Sequence, residues 1–127
     1  ISLADNHGKT RTLSSLKGKV VMLDFHVFTT KESPARIMML RELYNKYAAK
    51  GFEIYQVSLD NNEHFWKTST AALPWISVRD ENGIESQKLQ MYNITKMPTF
   101  FLIDRESNLK SRDDNVKDLN AEIQKLL

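Results

Sequence analysis

Side-chain chemistry in this sequence has to rest on hydroxyls, imidazoles and carboxylates, because its 127 residues include no cysteine. That removes thiol nucleophiles, thiolate metal ligands and disulfides together. It leaves the compartment open, since exported and cytosolic proteins alike can lack cysteine. The imidazoles are His7, His26 and His64. They lie far apart, with no HxxxH or His-Asp spacing to suggest a metal site, and surface or boundary positions are their ordinary reading. Ser33 could act as a nucleophile only beside a base, since a free hydroxyl stays protonated. His26 is the one imidazole that could approach it, and no clear third residue orients that ring, which weighs against a Ser-His hydrolase. A simpler reading is available, because Ser33 followed by Pro34 is a good helix-start pair in which the serine caps. Thr30 and Glu32 could equally cap or complement the positive end of the same helix. Asp24 is a charge inside an apolar run, and if buried without a partner its pKa should rise.

These residues sit between recognisable elements. Val20 to Phe25, apolar except for Asp24, reads as a buried central strand entered through the turn Lys17-Gly18-Lys19. After Ser33-Pro34, the residues Ile37, Leu40, Leu43, Tyr44 and Tyr47 recur at spacings of three and four and stop at Gly51, the pattern of a long amphipathic helix. Phe52 to Leu59 alternates with period two as a second strand. Asp60 to Asn62 ends it and can cap a helix over Glu63 to Ala71. Trp75 to Val78 reads as a short third strand, followed by the turn Asp80-Glu81-Asn82-Gly83 and a short helix over Glu85 to Tyr92. Thr99 to Ile103 is another buried strand, with a turn at Asp104 to Asn108 and a short partner near Leu109. Val116, Leu119, Ile123 and Leu126 mark a last helix, capped by Asp114 or Asn115. Strands alternating with helices and ending in a hairpin imply an α/β domain with a mixed sheet covered on both faces. Trp66, Trp75, Phe65 and Tyr92 suit the core or its rim, and the five methionines suit core filling.

Composition narrows the function classes. With 18 Lys and Arg against 16 Asp and Glu, the net charge is +2 and the basic residues are scattered, so nucleic acid is not an expected partner. No apolar run approaches the roughly 18 residues that a membrane span requires. The chain opens at Ile1 without a basic or apolar leader, which reads as one domain, residues 1–127, cut from a longer protein.

Three stretches carry a family resemblance. Leu3-Ala4-Asp5-Asn6-His7-Gly8-Lys9, followed by Leu13 to Phe25, resembles the start of thioredoxin-like domains of the TlpA-like and AhpC/TSA peroxiredoxin-like superfamily. Tyr92 to Asp104, with Met97-Pro98-Thr99 at its centre, is similar to that family's segment around its cis-proline, and a proline directly before a buried strand is unusual. Between them, the long helix begins where the family places its active-site helix. The resemblance implies a thioredoxin-like fold, with a central mixed β-sheet flanked by helices on both faces and an N-terminal β extension. It also implies a cis bond before Pro98, which packing can hold at a cost of roughly 0.5–1 kcal/mol.

The same resemblance puts the two cysteine positions of a CxxC motif on Thr30 and Ser33, and the peroxiredoxin pattern PxxxTxxC on His26, Thr30 and Ser33. A shifted register that matches Pro34 to the proline of CGPC puts them on Glu32 and Ala35. Neither supplies a sulfur. Asp24 matches the acid that moves protons for the family's redox cysteines, and here it is expected as a hydrogen-bonded relic. The implied function is a redox-inactive binding or structural module needing no cofactor, with Thr30, Ser33, Met97 and Pro98 as candidate binding residues. Its expected partners are an extended peptide or protein segment, taken by strand addition, or other domains of the parent chain. The alternatives are an enzyme completed by a partner's cysteines and a non-thiol activity using His26 and Ser33. Export and attachment to the cell envelope follow from the resemblance alone.

Overall fold

The computed structural model describes Ile1 to Leu127, the side chain of Asp114 excepted. In chain order the strands and helices are β1 (Ser2–Ala4), β2 (Thr10–Thr12), β3 (Val20–His26), α1 (Ser33–Tyr47), β4 (Phe52–Ser58), α2 (Glu63–Thr70), β5 (Ile76–Arg79), α3 (Gln87–Met91), β6 (Thr99–Ile103), β7 (Leu109–Arg112) and α4 (Leu119–Leu126). The main sheet has the order β5-β4-β3-β6-β7. Strands β3, β4 and β5 run parallel, while β6 and β7 are antiparallel to their neighbours. The mixed sheet and the terminal hairpin read from the sequence are present. β1 and β2 form the N-terminal extension, a separate two-stranded ribbon, and Asp5 bridges from it to Val78 on β5.

Strand β3 is buried along its whole length because both faces of the sheet are covered. Val20 and Met22 face Leu40, Leu43 and Tyr47 of α1 and Ile123 of α4. Val21, Leu23 and Phe25 face Leu16, with Leu89, Tyr92, Ile94 and Met97 packed around them. Beyond Tyr47 the chain tightens into a 3-10 turn and ends at Gly51 with φ of +100°. A side chain there would be strained, and its Cβ would stand 2.9 Å from Arg105 Nη1. Arg105 donates to the carbonyls of Gly18 and Lys50 at 2.9 and 3.0 Å, tying together both chain entries into the parallel strands.

Some boundaries differ from the sequence reading. The central strand runs on through His26, and the third begins at Ile76 rather than Trp75. The helix expected over Glu85 to Tyr92 is a 3-10 turn over Gly83–Glu85 followed by α3, with Ser86 capping through Lys88 N–H. The last helix starts at Leu119 and is capped by Asp118, whose carboxylate accepts from Ala121 N–H. Asn115 ends a 3-10 turn instead, and the Asp114 side chain lies outside the described residues. The cap expected near Asn62 is in place, its side chain accepting from Phe65 N–H. No helix among the described residues is long and apolar enough to cross a membrane.

Candidate functional site

The parallel strands end together at His26, Ser58 and Arg79. The chain leaving β3 crosses that edge as a short loop and turns into α1. Asp60 pins the loop, its two carboxylate oxygens accepting from Phe28 N–H at 3.1 and 3.0 Å while Ser58 Oγ donates to one of them. Thr30 closes the turn: its hydroxyl donates to the Val27 carbonyl at 3.0 Å, and its own carbonyl accepts from Ser33 N–H at 3.2 Å.

Ser33 is the first residue of α1, with Pro34 in the first turn, but it does not cap the helix. Glu32 occupies the cap position and makes no side-chain cap bond. The Ser33 hydroxyl meets His26 Nε2 at 2.7 Å instead. His26 is likewise no surface or boundary histidine, since it is completely buried, with its ring edge-on to Phe28 at 4.5 Å. Of the two partners open to this hydroxyl, the helix start and His26, the imidazole takes it. The end of β3 brings an imidazole seven positions away against the helix start.

The pair has the components of a nucleophile and base but not their arrangement. His26 Nδ1 is buried with no partner among the described residues, so nothing orients the ring. Whichever nitrogen carries the proton, one ring nitrogen stays unsatisfied. His26 is fully buried and Ser33 4% exposed, leaving a substrate no approach. Burial lowers the His26 pKa from its ordinary 6.5, against the attraction of Asp24 and Asp60 and with the Arg36 charge adding to the fall.

Asp24 lies on the same face of β3 and is completely buried. It is paired rather than isolated. Arg36, from the second turn of α1, donates to Oδ1 through Nε at 3.1 Å and also through Nη2. Gln56 Nε2, directly across on β4, donates to Oδ2 at 3.0 Å, and Trp75 Nε1 donates to Gln56 Oε1 at 2.9 Å. Arg36 also lies over the Phe100 ring at 5.9 Å. The acid is therefore held in a closed chain of hydrogen bonds with no thiol to serve. Sequence reasoning missed Arg36, Gln56, Trp75 and Asp60. One signal was available: Gln56 interrupts the apolar pattern of β4 at the register position of Asp24.

Met97 and Pro98 are joined by a cis peptide bond, as the resemblance implied. The ladder between β3 and β6 begins at the pair Phe25 and Thr99, so Met97 and Pro98 stand outside it. Both are half-buried, and Met97 packs against the core around Leu23 and Phe25. Of the two registers for the family's cysteine positions, one puts them on half-buried Thr30 and buried Ser33, the other on exposed Glu32 and Ala35. Among the described residues there is no cluster of three or more His, Asp or Glu that could hold a metal ion.

Residues 1–112 match the model of the AhpC/TSA family. Human nucleoredoxin is 29% identical over 123 residues, covering 94% of this chain but 28% of that protein. The thiol-disulfide oxidoreductase ResA of Bacillus cereus is 32% identical over 111 residues, covering 84% of this chain and 61% of that one. The chain thus spans less than two thirds of either relative. Among solved structures, an uncharacterized thioredoxin-like protein from Bacteroides vulgatus superposes with a TM-score of 0.94 at 54% identity, covering 99% of this chain and 83% of that one.

Proposed function

The chain belongs to the AhpC/TSA family, and on that premise we propose that it is a redox-inactive, thioredoxin-like binding module. Its fold is shared with thiol-disulfide oxidoreductases, and it contains no cysteine. The observation that carries the reading is the buried Ser33–His26 pair, shut off from solvent at the position where the resemblance puts a cysteine. At that edge the backbone of Met97 and Pro98 lies beyond the β6 ladder, and both residues are half-buried. An extended segment pairing there would gain main-chain hydrogen bonds without any covalent step. The partner would be an extended peptide or a neighbouring domain of the parent protein, and the site would be the cell envelope. The second proposal rests only on the family resemblance, and an export signal encoded upstream of Ile1 would test it.

A nucleophilic role for Ser33 has the 2.7 Å contact in its favour. It has against it the burial of both groups and the unpartnered Nδ1.

The inactivity is tested by a disulfide-reduction assay on the purified chain beside a Thr30→Cys/Ser33→Cys variant. The hydrogen bond from Ser33 N–H to the Thr30 carbonyl makes these residues the ends of a tight turn. Ends of such a turn lie within about 7 Å, overlapping the roughly 4.4–6.8 Å that a disulfide spans. The expected result is no turnover by the natural chain above a protein-free control, and loss of both thiols on oxidation of the variant. Turnover by the natural chain would contradict the proposal.

A further inference from the structure

The cations are scattered along the sequence, but the fold gathers several of them at one end of the sheet. Arg105 is the hub. Its Nη1 donates to the Gly18 carbonyl at 2.9 Å, and its Nη2 to the carbonyls of Lys50 at 3.0 Å and Leu127 at 3.5 Å. Lys17 and Lys19 flank that glycine, and Lys125 stands in the last turn of α4, two residues before Leu127. Lys46 and Lys50 both hold their ammonium groups by the Tyr47 ring, at 5.9 and 6.0 Å from its centre. The parallel strands β3 and β4 begin at this end and finish at His26 and Ser58. The patch is therefore at the far end of the sheet from Ser33.

These cations are largely uncompensated. Lys17, Lys19, Lys46, Lys50 and Lys125 are exposed, and neither they nor Arg105 form an ion pair with a carboxylate among the described residues. Part of their charge answers the C-terminal ends of α1 and α4, which carry about half a negative charge each. The neighbouring acids do little more. Glu53 is half-buried and Lys19 attracts it only through space, Asp104 is taken by Lys110 at 3.7 Å, and Glu106 follows Arg105 in an exposed turn. The whole chain carries +2, so the six cations named, at +6, leave −4 for the rest of the molecule. A small net charge thus conceals a strongly polarised surface.

We propose that this end of the molecule docks on a bilayer surface rich in anionic phospholipid. The kind of cation and its setting select the partner. A site for a single anion needs directional donors in a cleft, and the one fork-shaped guanidinium here is committed to main-chain carbonyls. The cavities of about 230, 320 and 280 Å³ have none of these cations in their walls. Protein interfaces rest on aromatic and arginine anchors, and single-stranded nucleic acid on stacked aromatic rings. The aromatic rings at this end, Tyr47 and Phe52, are only 2% and 1% exposed. What is left is a set of hydrated point charges on long stems, which suits a plane of many phosphates. Each lysine at such a surface strengthens binding by about fivefold. Docked in this way, the strands run outward from the lipid, and the edge at His26 and Thr99 faces away from it. The docking is independent of the binding role proposed above, because it uses the other end of the sheet.

The test is co-sedimentation of the chain with vesicles of phosphatidylcholine alone and of equal parts phosphatidylcholine and phosphatidylglycerol. Binding to the second kind only is expected at low ionic strength. It should fall steeply as salt shortens the screening length from about 30 Å at 0.01 M to about 8 Å at 0.15 M. Lys19→Gln and Lys31→Gln each remove one positive charge from an exposed position, the first inside the patch and the second beside Thr30 at the opposite end. The first should weaken binding by about fivefold and the second by less than about twofold, while Lys17→Gln/Lys19→Gln/Lys50→Gln should weaken it by about a hundredfold. These are surface lysines outside any ion pair among the described residues, so the variants should unfold at the same temperature as the natural chain. Soluble poly-glutamate and a short DNA duplex serve as the acidic-protein and nucleic-acid arms, and weaker binding to both than to the anionic vesicles is expected. No binding to anionic vesicles at low salt, equal binding to both kinds of vesicle, equal losses from Lys19→Gln and Lys31→Gln, or tighter binding to either soluble polyanion would overturn the proposal.

Discussion

The hydroxyl of Ser33 is held by an imidazole, and the burial of that imidazole bears on how the protein responds to acid. His26 has a folded-state pKa below its ordinary 6.5, with burial as the main cause. In the unfolded chain the imidazole takes up a proton near 6.5, while in the folded protein it resists doing so until lower pH. Between those two values the unfolded state binds more protons, so stability rises with pH and is lost on acidification below about 6.5. The slope from one such group is at most about 1.4 kcal/mol per pH unit. Denaturant titrations across this range should show a flatter acid limb for His26→Gln than for the natural chain. The neighbouring pair gives a larger effect. Asp24→Asn leaves the Arg36 guanidinium, 12% exposed, without its counter-charge, and the expected loss is about 3 kcal/mol or more. Asp24→Asn/Arg36→Met should recover much of that loss in the same measurement. Recovery would show that the pair is a packing solution rather than a retained catalytic acid. At this scale the sequence was only partly legible. It singled out Asp24, His26 and Ser33, but their partners come from other elements, and Arg36 and Gln56 meet Asp24 only once α1 and β4 are laid beside β3.

Helix starts separate what local sequence decides from what packing decides. Asn62 caps α2 and Asp118 caps α4 through their own side chains. Asn62→Ala should therefore cost about 1 kcal/mol in chemical denaturation, as cap removals do. Ser33→Ala loses no cap bond, and its cost should appear as a coupling with His26 that vanishes in a background where His26 is already replaced. Element types followed from periodicity: the long helix stopping near Gly51, the alternating strand from Phe52 and the apolar strand from Thr99 all stand where the pattern put them. The C-terminal helix was misplaced because Asp114, Asn115 and Asp118 are equally good caps by residue type, and the choice rests on where Ile123 must reach the core. The start of α1 was misassigned for the reason given above. Local preference named a cap, and the end of β3 claimed the hydroxyl.

Across the whole molecule, the same sheet presents two ends with different chemistry. At one end the strands converge on a sealed Ser33–His26 pair beside the cis Met97–Pro98 bond. At the other, Glu53 lines a cavity together with the paired Asp5 and Arg11. The family fold was legible from the residues around Asp24 and Pro98, because that segment and the central strand are buried and constrained on both faces. What the fold now does was not, since erasing a thiol leaves the scaffold intact and fold does not fix function. The most direct measurement is an NMR titration of the labelled chain with a small library of extended peptides. Saturable amide shifts confined to Thr30 to Arg36 and to Met97 with Thr99 and Phe100 are expected. Absence of shifts there at peptide concentrations where weak strand addition would be seen, or shifts centred elsewhere, would contradict the proposed binding role.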